Sequence, residues 1–517
     1  MQRERGITLA CATATLLIAL AYAVLGKFGQ WPDHIDNWNL WELSLGLTQD
    51  FYHVWNLRFF ATEAGSSISY PPLYPALIAV TDAVTGLGPA SGTLVNYACV
   101  AAFAGVNMAI GWHIAGSRAA GLLIAAAMLC FLPFGTEIVG ARSHPVALLI
   151  LALIGLVVIR SPITVATASL VGFLAGLGMM ARFDFLLPSL ILGGLILLWS
   201  RRVAPPLAYG LGALIGASPW IIHSWSAYHT PYASDSRWSA MAKQPGLWPN
   251  DWVAPPGPEP MASVGDVVHK LVLTADVPVE LASDYVRHIL PVVAALVVAW
   301  AGAALLGRLR AAPAADPRRA LYGSRDLSRL AMLLLIWPPL IFSAWLAGYP
   351  SVRYLSGLHW NLLALGILAA TLHYQRSDPI LLRRATVIAA AGLVVAGTGL
   401  AWRNSVRQRF NQPALVLARV AQVQRCLLAV GAQPGDRVMF ALNEGHGAQF
   451  GPLARWASAS PPHNAAALTT ADWAAYLKFG GIRYIVGGDS VGRALAILQD
   501  PNPLPGCPIP IHPVASP

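Results

Sequence analysis

Long apolar runs recur along this chain, and no other feature limits its fold as strongly. A helix needs about 20 apolar residues to cross the hydrocarbon layer of a membrane. Runs of that kind lie near residues 7–25, 90–113, 119–134, 144–160, 163–181, 185–199, 205–223, 287–306, 329–347, 355–373 and 384–402. Composition agrees, because 56% of the 517 residues are hydrophobic and 11% are charged, roughly half the charge of a soluble domain. Residues 1–402 therefore read as an all-α polytopic membrane domain with about eleven transmembrane helices. The first run follows only Arg3 and Arg5, is too long for a signal-peptide core and lacks a good cleavage site, so it reads as an uncleaved helix.

The formal net charge of +10 is spread in short clusters between the apolar runs. A nucleic-acid partner would require one basic face, so none is expected. Arg118, Arg160, Arg201 with Arg202, the segment from Arg308 to Arg329, and Arg376, Arg383 and Arg384 all fall in alternate loops on the N-terminal side. The other side receives Asp33, Asp36, Glu42, Asp50, Glu63, Glu137, Asp184 and the acids between Asp235 and Asp284. By the positive-inside rule the N-terminus is cytoplasmic, and an odd number of crossings puts the C-terminus outside.

Two external loops stand out, 26–89 and 224–286. In the first, Ala76 to Val84 is too short to span and reads as an interfacial helix opened by prolines. The second carries Trp225, Trp238, Trp248 and Trp252, as headgroup anchors or as platforms for sugar rings. Residues 403–517 read as a small external α/β domain. Gln412 to Val430 has helical periodicity, Arg437 to Leu442 and Ile482 to Val486 are strand-like, and a helix starts at Thr470 with Asp472 in its first turn. Of five cysteines, Cys11, Cys99 and Cys130 sit in apolar runs. Cys426 and Cys507 lie in the external domain, where they either pair or remain free thiols.

The acids just beyond the first helix are the strongest chemical candidates. Asp33 and Asp36 share one face if the segment is helical. A carboxylate at a membrane surface can deprotonate an acceptor hydroxyl or hold a divalent metal beside a phosphate, and the alternative is a solvated loop.

Several short motifs carry a family resemblance. Asp36-Asn37-Trp38 resembles the opening of the first external loop in GT-C glycosyltransferases, and Tyr70-Pro71-Pro72-Leu73-Tyr74-Pro75 resembles their lead into a juxtamembrane helix. Tyr349-Pro350-Ser351-Val352-Arg353-Tyr354-Leu355 is similar to a late external turn, and Pro219-Trp220 to a pair that ends a mid-chain helix. Gly481 to Val486 resembles a strand of the terminal domain in bacterial members. The resemblance spans nearly the whole chain, and its relatives include protein O-mannosyltransferases and the lipid A aminoarabinose transferase.

The resemblance implies transfer of a sugar, hexosyl or pentosyl, from a polyprenyl-phosphate donor to an acceptor hydroxyl on an envelope glycan, lipid or protein. It also implies a bacterial inner-membrane protein with a periplasmic C-terminus. Asp36 inherits the catalytic role, with Asp33 as fallback. The chain departs from the pattern at Asn37, where a second acid often stands, and at Tyr70, where relatives place a basic residue. No cofactor is fixed by this reading; a divalent metal ion is left open.

Phosphate binding is then expected from Arg353 with Tyr354, Arg182, Arg142 and His144, and Tyr70 joins them at the Pro-Pro motif. An interfacial arginine is costly unless paired, and its planar fork suits phosphate oxygens. Local pairing is the alternative for Arg182 with Asp184 and for Arg142 with Glu137, while His144 would otherwise be an interfacial anchor. Glu137 is either that partner or a second acid of the site. The rival function is a transporter or lipid flippase, but the sequence shows no internal repeats or broken midplane helices, and its ionisable residues gather at one face.

Overall fold

A computed structural model of the chain describes residues 30–32, 35–49, 70–140, 142–234, 241–243, 260–307, 326–348, 351–374, 410–441, 444–459, 461, 468–487, 507 and 509–514. Every apolar run among them is helical, whereas those near 7–25 and 384–402 lie outside the described residues. After β1 (Trp31–Pro32) come α1 (Ile35–Gln49), α2 (Leu73–Thr85), α3 (Ser91–Ala115), α4 (Arg118–Leu129), the short α5 (Leu132–Val139), α6 (His144–Arg160), α7 (Val165–Ala181), α8 (Leu186–Ser200) and α9 (Ala204–Tyr228). Then follow α10 (Val264–Leu273), α11 (Asp276–Gly307), α12 (Trp337–Ala347) and α13 (Ser356–Tyr374).

Among the described residues, four stretches, Gly88–Ala115, Phe183–Ser200, Asp326–Ala347 and Val352–Leu372, are long and apolar enough to cross a membrane. Helices α4, α6 and α7 have the composition but not the length, so about eleven crossings are not established. Their ends are set by local signals. Gly116 stops α3 with a left-handed φ of 60°, and the Ser117 and Thr164 hydroxyls accept from backbone amides to open α4 and α7. The interfacial helix expected over Ala76 to Val84 is α2, which already begins at Leu73. Pro219 lies inside α9 rather than at its end. Trp220, fully buried, instead donates its indole N–H to the Ala233 carbonyl at 3.1 Å and fixes the chain that returns after α9.

Helices α7 and α9 approach backbone to backbone. A Cβ added to Gly172 or Gly176 would meet the carbonyls of Tyr209 or Ala213, and one on Gly212 or Gly216 would meet those of Ser169 or Phe173. Small residues four apart on both helices allow this contact, the packing that lipid-embedded helices favour. Because α7 runs directly into Arg182, the contact also fixes that side chain's origin. Gly176→Leu is expected to destabilise the protein by about 1–3 kcal/mol through overpacking, read as a lower midpoint of thermal aggregation in detergent; an unchanged midpoint would remove this contact from the account.

The C-terminal part contains β2 (Phe410–Asn411), α14 (Pro413–Ala429), β3 (Arg437–Phe440), α15 (Glu444–Ala454), β4 (Ser458–Ala459), α16 (Thr470–Phe479), β5 (Ile482–Val486) and β6 (Ile511–Pro513). The sheet has the order β4-β3-β5-β6, with β3 parallel to both neighbours and β6 antiparallel. A capping box between Thr469 and Asp472 opens α16. Cys426 and Cys507 form a disulfide. The proposed boundary between 402 and 403 lies outside the described residues. This part is not detached from the helices, because β1 pairs with β2 and α15 packs against α1.

Candidate active site

The site is built where α5, α6, α7 and the turn before α13 reach the same end of the helices. Short α5 places Glu137, 1% exposed, under this end. Asn96 of α3 holds it there by donating its side-chain amide to the carbonyls of Glu137 and Ile138, both at 3.1 Å. Those carbonyls belong to the helix end, where no intrahelical amide is left to satisfy them.

Three basic groups gather around the buried carboxylate. Arg142 Nη1 lies 2.5 Å from Oε1, His144 Nδ1 2.5 Å from Oε2, and Arg353 Nη1 4.0 Å from Oε1. Arg182, in extended backbone just after α7, grips Asp184 with its fork at 2.9 Å and 2.6 Å. Its remaining Nη1 lies 3.0 Å from His144 Nδ1. A guanidinium only donates and a carboxylate only accepts. The single nitrogen Nδ1 therefore carries a proton when it serves Glu137 and lacks one when it serves Arg182. The buried Nε2 of His144 has no partner among the described residues.

Tyr354 completes the arrangement. Its ring lies between the guanidiniums of Arg182 and Arg353, 5.2 Å and 5.3 Å from its centroid. Such cation–π contacts hold both cations without consuming their hydrogen-bond donors. His144, Arg182, Asp184, Arg353 and Tyr354 line one cleft together with the apolar Leu148, Phe185, Trp337 and Leu340. Among the described residues, the guanidiniums of Arg142, Arg182 and Arg353 face the carboxylates of Glu137 and Asp184 in this cluster.

Burial alone would raise the Glu137 carboxyl, but His144, Arg142 and Arg353 outweigh it and hold it well below the usual carboxylate range. A depressed glutamate stabilises the fold above its unfolded value of about 4.3. That stability is lost as pH falls from there through the lower folded value. Glu137→Gln leaves its cations uncompensated and is expected to cost about 3 kcal/mol, discounted for the partial exposure of Arg142 and Arg353. It should also flatten the loss of stability below pH 4, measured by thermal unfolding across pH; an unaltered acid limb would remove Glu137 from this role.

Of the residues singled out in the sequence, Arg353, Tyr354, Arg182 and His144 line the cleft together, and Arg142 joins them through Glu137. Tyr70 does not line it and packs beside Phe183, next to Arg182. Asp36 lies in the first turn of α1, its side chain outside the described residues along with Asp33. Helix α1 reaches the same region, since Leu43 shares a core with Met180 and Phe183. The turns after Asp36 bury Asn37 and Trp38 completely, and neither amide atom of Asn37 nor the Trp38 indole N–H has a partner among the described residues. Such orphaned groups cost about 1–3 kcal/mol each, a cost that a polar ligand would relieve. Among the described residues no cluster of His, Cys, Asp and Glu is fit to hold a metal. Sequence reasoning missed Asn96 altogether and saw Glu137 only as a partner of Arg142 or a second acid. Their one signal is a polar residue inside, or at the rim of, an apolar run.

No protein-family model matches the chain. No curated protein matches it either. Two solved structures resemble it over most of its length. ArnT from Cupriavidus metallidurans bound to undecaprenyl phosphate superposes with a TM-score of 0.52 at 13% identity, covering 99% of this chain and 98% of that one. The Archaeoglobus fulgidus oligosaccharyltransferase in the apo form gives a TM-score of 0.51 at 13% identity, covering 93% of this chain and 69% of that one. Both are GT-C glycosyltransferases. At such identity the likeness is one of architecture, and this chain shares the overall fold of these two structures.

Proposed function

We propose that the protein is a membrane glycosyltransferase that moves one sugar from a polyprenyl phosphate to an acceptor hydroxyl. The observation that carries this reading is a cleft lined by Arg182 and Arg353 together with apolar side chains. A lipid phosphate combines an anion with an apolar chain, and phosphate oxygens match the guanidinium fork. The structural neighbour ArnT holds undecaprenyl phosphate in its crystal, which supports a carrier of that class here.

In the proposed step the acceptor oxygen attacks the anomeric carbon, and the bond from that carbon to the phosphate oxygen breaks. The electron pair leaves with the phosphate, and the hydroxyl proton passes to the Asp36 carboxylate. Arg353 and Arg182 neutralise the charge that grows on the leaving phosphate, a preorganised arrangement that needs no reorientation during the reaction. The buried Nε2 of His144 supplies a further polar contact in the same cleft. A single inverting displacement follows the family resemblance. A divalent ion, if used, would neutralise phosphate charge beside Asp36.

The site is placed on the periplasmic face of a bacterial inner membrane. Arginine-rich alternate loops support a cytoplasmic N-terminus. The Cys426–Cys507 disulfide supports an oxidising location for the C-terminal part. The test is to incubate purified protein with a panel of polyprenyl-phosphate sugars and to follow sugar release, with and without chelator. Consumption of one donor with product formation is expected. Movement of the lipid across proteoliposomes with no donor consumed would replace the reading by a flippase.

A further inference from the structure

The C-terminal sheet has a second cleft, away from the cation cluster. It opens between the carboxyl ends of β3 and β5, where Phe440 and Val486 are the last strand residues. From β3 the chain turns to α15 and β4 on one side, while β5 lies on the other. This is the switch point of an open parallel sheet, the place where such folds bind ligands. Along the open side, α14 presents Arg419, Gln422 and Arg425 in steps of three, and α15 contributes Gln449. No acid lines the cleft among the described residues. The Cys426–Cys507 disulfide ties α14 to the segment carrying Ile509, so it staples two walls of the cleft.

We infer that this cleft is a second binding site, for an anionic glycan that serves as the acceptor. Two guanidiniums select a carboxylate or phosphate group, and the amides of Gln422 and Gln449 suit ring hydroxyls. Neither a neutral glycan nor an apolar chain would need both arginines. Helix α15 also packs on α1, the helix that carries Asp36. An acceptor held here by its charged unit is thereby placed beside the element that supplies the base. The inference rests on the transferase reading for the word acceptor only, since binding is measurable without transfer.

The test uses the full-length protein in detergent and four probes: a labelled trigalacturonate, a phosphorylated trisaccharide, neutral maltotriose and inorganic phosphate. Trigalacturonate or the phosphorylated sugar should bind, more weakly at higher salt, and maltotriose and free phosphate should bind at least about tenfold more weakly. The better of the two acidic probes identifies the anion. Arg425→Gln should weaken that probe by about tenfold, and Arg419→Gln with Arg425→Gln by more. Arg353→Gln, in the other cleft, should leave it unchanged. Equal binding of acidic and neutral probes, wild-type affinity in the double variant with an unchanged melting midpoint, or loss of binding in Arg353→Gln would each overturn the site. Failure of every donor in the sugar-release assay, with arginine-dependent binding intact, would sink the transferase reading and leave the glycan site standing.

Discussion

Exchange of Asp36 for asparagine is expected to lower sugar transfer by about 10²–10⁴-fold, the usual loss when a general base is removed. Asparagine keeps the shape and the hydrogen-bonding reach but cannot take the acceptor's proton. The position suits a base that must be ionised before the substrate arrives. Asp36 is the second residue of α1, and the positive end of a helix dipole favours a carboxylate in its first turn. Polyprenyl-phosphate binding should persist in the variant, because the cation cluster lies on other elements. Single-turnover assays beside lipid-phosphate binding separate the two quantities. If transfer survived at near wild-type rate, the base would have to be sought elsewhere, with Asp33 the first alternative.

Arg353→Ala should lose about 10²–10³-fold in transfer, comparable to removing one donor from a preformed anion hole. The residue sits in the 3-10 turn Val352–Leu355, and its guanidinium is shared between the Tyr354 ring and the outer reach of Glu137. Its planar fork matches the oxygens of a phosphate, and Arg182 already spends part of its own fork on Asp184. Arg353→Lys keeps the charge but not the fork, and should recover only part of the rate. The decisive comparison is between kcat and the affinity for the carrier phosphate alone. An interaction that strengthens as the phosphate departs is lost mainly from kcat, whereas one present throughout binding appears in KM. An Arg353→Ala enzyme with unchanged kcat and kcat/KM would remove this residue from the leaving-group account.

The primary sequence by itself determined the helical membrane class, four elements of the C-terminal part (α14, β3, α16 and β5) and the group of arginines worth following. Those properties are written in one dimension: apolar run length, the alternation of basic loops, capping residues such as Thr469 and Asp472, and the periodicity of Pro413–Ala429. Tertiary structure alone decided what the arginines converge on. Arg142 and Arg182 each come with a nearby acid that makes a local pairing equally plausible from spacing, and Arg353 comes with none. Only the packing of α3, α5, α6, α7 and the turn before α13 shows Glu137 holding the cluster together, fixed in turn by Asn96 from 41 residues away in the chain. The glycine contact between α7 and α9 and the cleft between β3 and β5 were equally invisible, since both depend on which helix faces and strand ends meet. Burial is the physical reason: a charge or a missing Cβ acquires its meaning from the groups that exclude water around it, and those come from distant parts of the chain.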